Sequence, residues 1–368
     1  MTGPEVVGPR SGRLGVRRAI VEGELVDGDV EVRDGVVTAV GLRPAGSGMA
    51  VPGLVDLQVN GYAGVDVGDA DVDGINHIGR ALASDGVLAW CPTVVTSPDE
   101  DIVRGVGTVG LAMGSTPTDA ARLLGTHLEG PFLSRDRAGV HPRDLLRPPD
   151  RALIDRVLDA GPLAILTLAP ELPGAIELIG DLAGSGVVLS AGHTDASTEV
   201  ARRAFDAGVR MTTHTWNGMR PLLHRDPGVL GAALTDPRVS IGLIGDGVHV
   251  DREVLDLTWR AAGDRICLVT DAVAAARAPD GRYRIGDIVI EREGDRVLDL
   301  EGRVGGGVTP LLEAVRIAID LGVPLTTAFA SATSRPAALV GRPELGVLRV
   351  GGPADLLVLD EDLRLEHR

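Results

Sequence analysis

Eight short apolar runs recur through the middle of the chain: Met49–Leu57, Gly86–Cys91, Leu123–Leu128, Leu163–Leu168, Val187–Ser190, Val209–Thr213, Val239–Ile244 and Arg265–Thr270. Most are separated by helix-length segments. Gly74–Asp85, Asp195–Ala207, Asp251–Ala262 and Pro310–Leu321 carry apolar residues at helical spacing, often behind an Asp or Thr able to cap. Eight strands alternating with helices predict an α/β chain folded as a (β/α)8 TIM-type barrel. The core this implies has few aromatics, 2% against 44% hydrophobic residues, so Val, Leu, Ile and Ala must fill it, as they do in barrel interiors. A length of 368 residues suits one such barrel with a small appendage.

That appendage is expected from both ends. Arg18–Glu22, Val30–Arg33 and Val36–Val40 read as strands joined by Asp27-Gly28 and Asp34-Gly35 turns, and the segment from Gly346 to Asp360 has the same strand and turn chemistry. The expected division is a small β-sandwich from residues 1–48 plus 343–368, and a barrel over 49–342 with a hairpin inserted near 277–303.

The formal net charge of −16 disfavours non-specific binding to nucleic acid or anionic lipid. All 36 basic residues are Arg, so chemistry that needs a lysine amine, such as Schiff-base or pyridoxal phosphate catalysis, is excluded. Cys91 and Cys267 each sit in an apolar run and read as buried inert thiols, not a disulfide framework. No stretch approaches 18 uninterrupted apolar residues and no leader-like segment stands at the N-terminus, so the expectation is a soluble, cytoplasmic protein with no membrane partner.

Chemistry concentrates where the strands end. The polar residues directly following the runs are Gln58 and Asn60, Glu129, His193, His214, His249 and Asp271, and strand ends in a barrel converge on one face. Glu129, His193 and His214 offer one carboxylate and two imidazoles, a ligand set suited to Zn²⁺ or a similar divalent ion with a position left open. Asp271 should hang over the same mouth, placed to take a proton from water and deliver it to a leaving nitrogen. The loop Thr213–Gly228 contributes Asn217, Arg220, His224 and Arg225 and is the best anion pocket in an acidic protein, although Arg220 and His224 read as ordinary loop residues. His141 and His249 lie on loops where either could hydrogen-bond substrate, His141 or His249 also polarising a carbonyl. His77, in a helical segment, and His367, in the tail, read as structural or solvated.

The motifs Val51-Pro-Gly-Leu-Val-Asp-Leu-Gln-Val-Asn-Gly, Thr126-His-Leu-Glu-Gly-Pro-Phe, Ser190-Ala-Gly-His-Thr, Thr213-His-Thr-Trp-Asn-Gly-Met and Leu268-Val-Thr-Asp-Ala, in this order, resemble the N-acetylglucosamine-6-phosphate deacetylases of the amidohydrolase superfamily. The resemblance runs over nearly the whole chain. It implies one divalent metal ion per subunit, Zn²⁺ first and Fe²⁺, Mn²⁺ or Co²⁺ as substitutes, held by Glu129, His193 and His214. It further implies Asp271 as general base and acid, and His141 approaching the amide carbonyl. Asn217, Gly218, Arg225 and His249 would line the sugar-phosphate pocket, completed across a homodimer interface by either Arg225 or His249. The expected reaction is hydrolysis of the N-acetyl group of an amino-sugar phosphate, a step of amino-sugar catabolism and cell-wall recycling.

Many amidohydrolases carry His-x-His after the first strand and a carboxylated lysine between two metals; Gln58-Val-Asn60 and the lack of lysine favour a single-metal site. Two departures bear on substrate fit: Val304-Gly-Gly-Gly-Val replaces a Ser-containing segment, and Gly218 stands where Ala is common. Competing readings are the same chemistry on another epimer such as N-acetylgalactosamine-6-phosphate, an amidohydrolase of cyclic amides or deaminase type, and a sugar-phosphate-binding barrel without catalysis.

Overall fold

The computed structural model describes residues 11–286 and 288–366, so His367 lies outside the described residues. Its centre is a parallel sheet of eight barrel strands: β1 Leu54–Val59, β2 Val87–Val95, β3 Thr126–Glu129, β4 Leu163–Leu168, β5 Val188–Ala191, β6 Val209–Thr212, β7 Ser240–Ile244 and β8 Ile266–Val269. They pair in that order, each parallel to the next. Each is followed by one principal helix: α1 Val72–Ser84, α2 Asp99–Met113, α3 Arg151–Ala160, α4 Ala175–Leu182, α5 Thr198–Ala207, α6 Gly228–Thr235, α7 Arg252–Ala262 and α8 Leu311–Asp320. The seam between β1 and β8 closes differently. One parallel bridge joins Val59 to Ala272, and the buried Asp56 carboxylate in β1 accepts from the Thr270 hydroxyl at 2.6 Å and the Thr270 amide at 3.3 Å.

The local sequence explains the alternation. Strands β1, β3, β4, β5 and β8 are buried at every position, and apart from β3, which carries Thr126, His127 and Glu129, they are predominantly apolar. Helix α1 begins where the Asp71 side chain accepts from the Gly74 amide at 2.8 Å, and it buries the Ile75, Ile78, Leu82 and Ala83 stripe. Burying each large aliphatic side chain in that stripe stabilises the fold by about 1.5–3 kcal/mol. The chain then reverses at Gly86, whose φ of +87° and close approach to Leu357 leave no room for a Cβ.

Two small antiparallel-rich sheets come from the termini. Gly12–Arg13, Asp29–Arg33 and Val36–Leu42 form one; Leu356–Leu359, Met49–Pro52, Arg18–Val21 and Glu24–Asp27 form the other. Leu14, Val16, Val30, Val32, Val37, Ala50, Leu356 and Val358 pack together as their shared core. The expected boundary at residue 49 shifts: Met49–Pro52 belongs to the small sheet, pairing with Arg18–Ala19 and Leu356–Leu359, and only at Gly53 does the chain turn into β1. Periodicity is blind to that turn because both strands are buried and apolar. The insertion after β8 also differs from the expected hairpin, being three antiparallel strands, Gly281–Ile285, Ile288–Glu293 and Arg296–Asp299. Among the described residues no helix is long and apolar enough to cross a membrane.

Candidate active site and metal centre

The polar residues selected by their place after the strands do converge. Glu129 ends β3, His193 lies two residues beyond β5, His214 two beyond β6 and Asp271 two beyond β8. The three residues past a strand end adopt left-handed backbone conformations, φ +45° at His193, +30° at His214 and +50° at Asp271. Each such position costs on the order of 1–3 kcal/mol, and the surrounding loops must hold it.

Glu129 Oε1 stands 3.1 Å from His193 Nε2 and 2.8 Å from His214 Nε2, and the two Nε2 atoms are 3.1 Å apart, all buried. His193 Nδ1 faces the Arg137 carbonyl oxygen at 2.8 Å, an atom that only accepts, so Nδ1 carries the proton. When Nε2 is unprotonated, its lone pair points at a carboxylate oxygen and at a second imidazole nitrogen. Three electron-rich atoms so arranged need positive charge between them, and a divalent cation satisfies all three at once; the residues fit a metal ion.

The same charge imbalance appears in the protonation of the cluster. Burial pushes the His214 imidazole down, but the hydrogen bond and charge of Glu129, with the charge of Asp271, carry it up to about 9. Burial pushes Glu129 up, yet hydrogen bonds from His193 and His214 hold it well below the usual carboxylate range. Burial, then the His193 charge, takes His141 down to about 3, leaving a neutral imidazole. Its Nδ1 pairs with Thr96 Oγ1 at 2.9 Å, and its Nε2 lies 4.0 Å from Glu129 Oε1.

Asp271 is gripped by amides. Asn60 Nδ2 donates to its Oδ1 at 2.7 Å and Gln58 Nε2 at 3.1 Å, while Gln58 Nε2 also reaches Glu129 Oε2 at 3.2 Å. A donor amide thus sits between the two carboxylates, where a second cation would be repelled. Burial is the main reason the Asp271 carboxyl is raised above its ordinary range; the Glu129 charge adds to this, and His214, His249 and Asn60 oppose it. A carboxylate of raised proton affinity is a better proton acceptor than an ordinary one.

His141, His193, His214, Asn217, Gly218 and His249 line one cavity of about 150 Å³ together with Glu129 and Asp271. A larger cleft of about 810 Å³ beside Trp259 and Val323 contains none of these residues, so size alone would mislead. Asp246, which strand-end reasoning passed over, accepts from His249 Nδ1 at 2.7 Å, and the buried Nε2 has no partner among the described residues; the Asp246-Gly-Val-His249 spacing was its signal. His127 was also unforeseen: buried, its Nδ1 faces the Leu57 carbonyl at 3.1 Å and its Nε2 the Thr167 hydroxyl at 2.7 Å. At Gly218 a Cβ would stand 2.8 Å from His193 Nδ1, so Ala at this position requires the ring to move. The apolar part of the wall is Val95, Val140, Ile285 and Val304, the last two from the inserted sheet and the segment after it.

Arg225 is not brought to this cavity. It is exposed and its guanidinium faces His224 Nε2 at 2.7 Å. Arg220 pairs with Asp195 and Asp226, a structural role matching its reading as a loop residue. His77 on α1 is exposed, with Nε2 3.3 Å from the Ala63 carbonyl, and both cysteines are buried and free.

Comparison with known proteins follows the same direction. Residues 49–367 match the Amidohydrolase family profile. The chain is 34% identical over 364 residues to N-acetylgalactosamine-6-phosphate deacetylase of Escherichia coli O157:H7, covering 96% of both chains. It is 35% identical over 330 residues to N-acetylglucosamine-6-phosphate deacetylase of Vibrio furnissii, covering 88% of this chain and 82% of that one. A solved Asp-to-Ala variant of N-acetyl-D-glucosamine-6-phosphate deacetylase from Mycobacterium smegmatis, in complex with N-acetyl-D-glucosamine-6-phosphate, superposes with a TM-score of 0.89 at 33% identity over 96% of each chain. On fold, profile and sequence together, the chain belongs to the amidohydrolase family, alongside its N-acetylglucosamine-6-phosphate and N-acetylgalactosamine-6-phosphate deacetylases.

Proposed function

We propose that this hydrolase removes the acetyl group of N-acetylglucosamine-6-phosphate, giving glucosamine-6-phosphate and acetate. The observation that carries the reading is a Glu129, His193 and His214 cluster facing an Asp271 held by two amides, at the mouth of a barrel whose relatives are such deacetylases. Glu129, His193 and His214 would hold a single divalent ion, Zn²⁺ by ligand preference, with Fe²⁺, Mn²⁺ or Co²⁺ as substitutes. When bound, that ion supplies Lewis acidity, polarising the acetyl carbonyl and acidifying water.

The remaining work falls to the chain. Gln58 and Asn60 occupy Asp271 Oδ1, which directs proton traffic to Oδ2. Asp271 takes the proton of the attacking water as oxygen adds to the carbonyl carbon, and returns it to nitrogen as the C–N bond breaks. In the tautomer whose Nδ1 accepts from the Thr96 hydroxyl, His141 would present Nε2–H to the carbonyl oxygen as charge develops there. Asn217, Gly218 and His249 meet the sugar phosphate. Arg225, exposed outside the cavity of its own subunit, would reach the phosphate of a neighbouring one in a cytoplasmic homodimer.

A second reading has its own support: the E. coli relative matched over 96% of both chains acts, by name, on the galactosamine epimer. Acetate release from both epimers and from N-acetylglucosamine without phosphate, before and after chelation and Zn²⁺ return, tests both. Chelator-sensitive turnover of N-acetylglucosamine-6-phosphate restored at about one metal per chain supports the proposal. A preference for the galactosamine epimer moves the assignment to the second reading, and equal rates on the dephosphorylated sugar overturn the phosphate pocket. Retained ligand binding without turnover under any metal would leave a non-catalytic binder.

A further inference from the structure

Each of the three residues of the proposed metal cluster leads into its own loop, and one carboxylate ties those loops together. Asp195 lies two residues beyond His193. It receives Arg137, from the loop that follows Glu129, through Nε at 2.8 Å and a second guanidinium nitrogen at 2.7 Å. It also receives Arg220, from the loop that follows His214, at 3.3 Å on its carboxylate and 3.3 Å on its backbone carbonyl. Arg220 is anchored from behind by Asp226, its Nε at 3.0 Å. Asp195 itself is pinned by its amide, which donates to Glu171 Oε1 at 2.6 Å, beside the Thr194 hydroxyl on Glu171 Oε2 at 2.5 Å.

The arrangement has a direct consequence for His193. The Arg137 residue whose side chain grips Asp195 is the residue whose carbonyl accepts from His193 Nδ1 at 2.8 Å. Ser134, in the same loop, donates its amide to the His193 carbonyl at 2.9 Å. The imidazole therefore sits inside a closed ring of contacts: down the chain to Asp195, across the ion pair to Arg137, and back through that residue's carbonyl to Nδ1. Gly139 and Gly218 stand against the ring, each so near that a Cβ would come within 3.2 Å and 2.8 Å of it. A small rotation of the 134–139 loop would swing Nε2 away from Glu129.

We propose that Asp195 is a positioning residue for the metal site, holding the loops of Glu129, His193 and His214 in register and fixing, through Arg137, the direction of the His193 Nε2 lone pair. It touches neither substrate nor metal. Partners of this kind typically alter metal affinity by 10–100-fold, and Asp195, one step further out, belongs at the low end. The inference rests on the metal reading proposed above.

The test is Zn²⁺ affinity of the full chain by competition with a chromophoric chelator, without substrate, for the parent, Asp195→Asn and Arg137→Gln, with the apo melting temperature of each. About tenfold weaker Zn²⁺ binding in both variants is expected. The apo melting temperature should stay within about 3 °C of the parent, since partly exposed ion pairs contribute little to stability. At saturating Zn²⁺ the KM of Asp195→Asn should match the parent and kcat should recover. Affinity unchanged in both variants, with or without a lower apo melting temperature, overturns the proposal and leaves the network merely structural. If Asp195→Asn fails to fold, Arg137→Gln alone decides. A parent that binds no Zn²⁺ sinks the metal reading and this inference with it, whereas a parent that binds Zn²⁺ but releases no acetate leaves the inference standing and removes only the deacetylase.

Discussion

Asp56 offers a quantitative test of how the barrel seam is held. Its carboxyl is fully buried in β1, and burial, only partly offset by hydrogen bonds from Thr270 and the Gln58 amide, raises it from 3.8 to about 7. A raised carboxyl keeps its proton in the folded chain after the unfolded chain has released it. Between pH 4 and 7 the native state binds more protons, so stability falls as pH rises, fully present below 3.8 and lost above about 7. A shift of about 3 units corresponds to about 4 kcal/mol, of which about 2.5 kcal/mol falls between pH 5 and pH 8. Asp56→Asn imitates the protonated acid and removes the titration. Urea unfolding of the apo chain, followed by fluorescence of tryptophans that include the buried Trp90, should show the variant gaining about 2.5 kcal/mol on the parent from pH 5 to pH 8, whatever their offset at pH 5. Asp66, raised to about 7 in the same way, is common to both proteins and cancels. A stability difference that stays constant over that range would refute the protonated, buried Asp56.

Other outcomes follow from single contacts. Asp271→Asn should lower kcat for acetate release by about 10²–10⁴-fold while ligand binding, read by calorimetry, is retained, because only proton transfer is lost. Glu129→Gln should lose a metal ligand, and Zn²⁺ stoichiometry after dialysis should fall below one per chain. Asp71→Ala removes the α1 cap and should destabilise the fold by about 1 kcal/mol in urea, with turnover unchanged.

The alternation of apolar runs was enough to place all eight barrel strands, because parallel strands covered on both faces are predominantly apolar. The same rule hid the division at Gly53, where one apolar run serves two sheets. Glu129, His193, His214 and Asp271 were legible from position alone, since strand ends meet on one face. What sequence left out is what holds them: the Gln58 amide bridging Glu129 and Asp271, Asp246 behind His249, and Arg137 and Asp195 around His193. These are contacts between loops far apart in the chain, set by three-dimensional approach and carrying no periodic signal. Arg225 illustrates the opposite case, a residue singled out by its loop that the folded chain leaves facing solvent.

The pairing of Met49–Pro52 with Leu356–Leu359 also bears on how the protein is made. At ribosomal rates of about 5–20 residues per second, the roughly 300 residues between these partners take about 15–60 seconds to emerge. During that interval the segment leading directly into β1 has one bare edge, so the first strand of the barrel is anchored on that side only when the last strand arrives. A nascent chain stalled before Leu356 would present this apolar edge to other chains, and chaperones would be expected to engage there before synthesis ends.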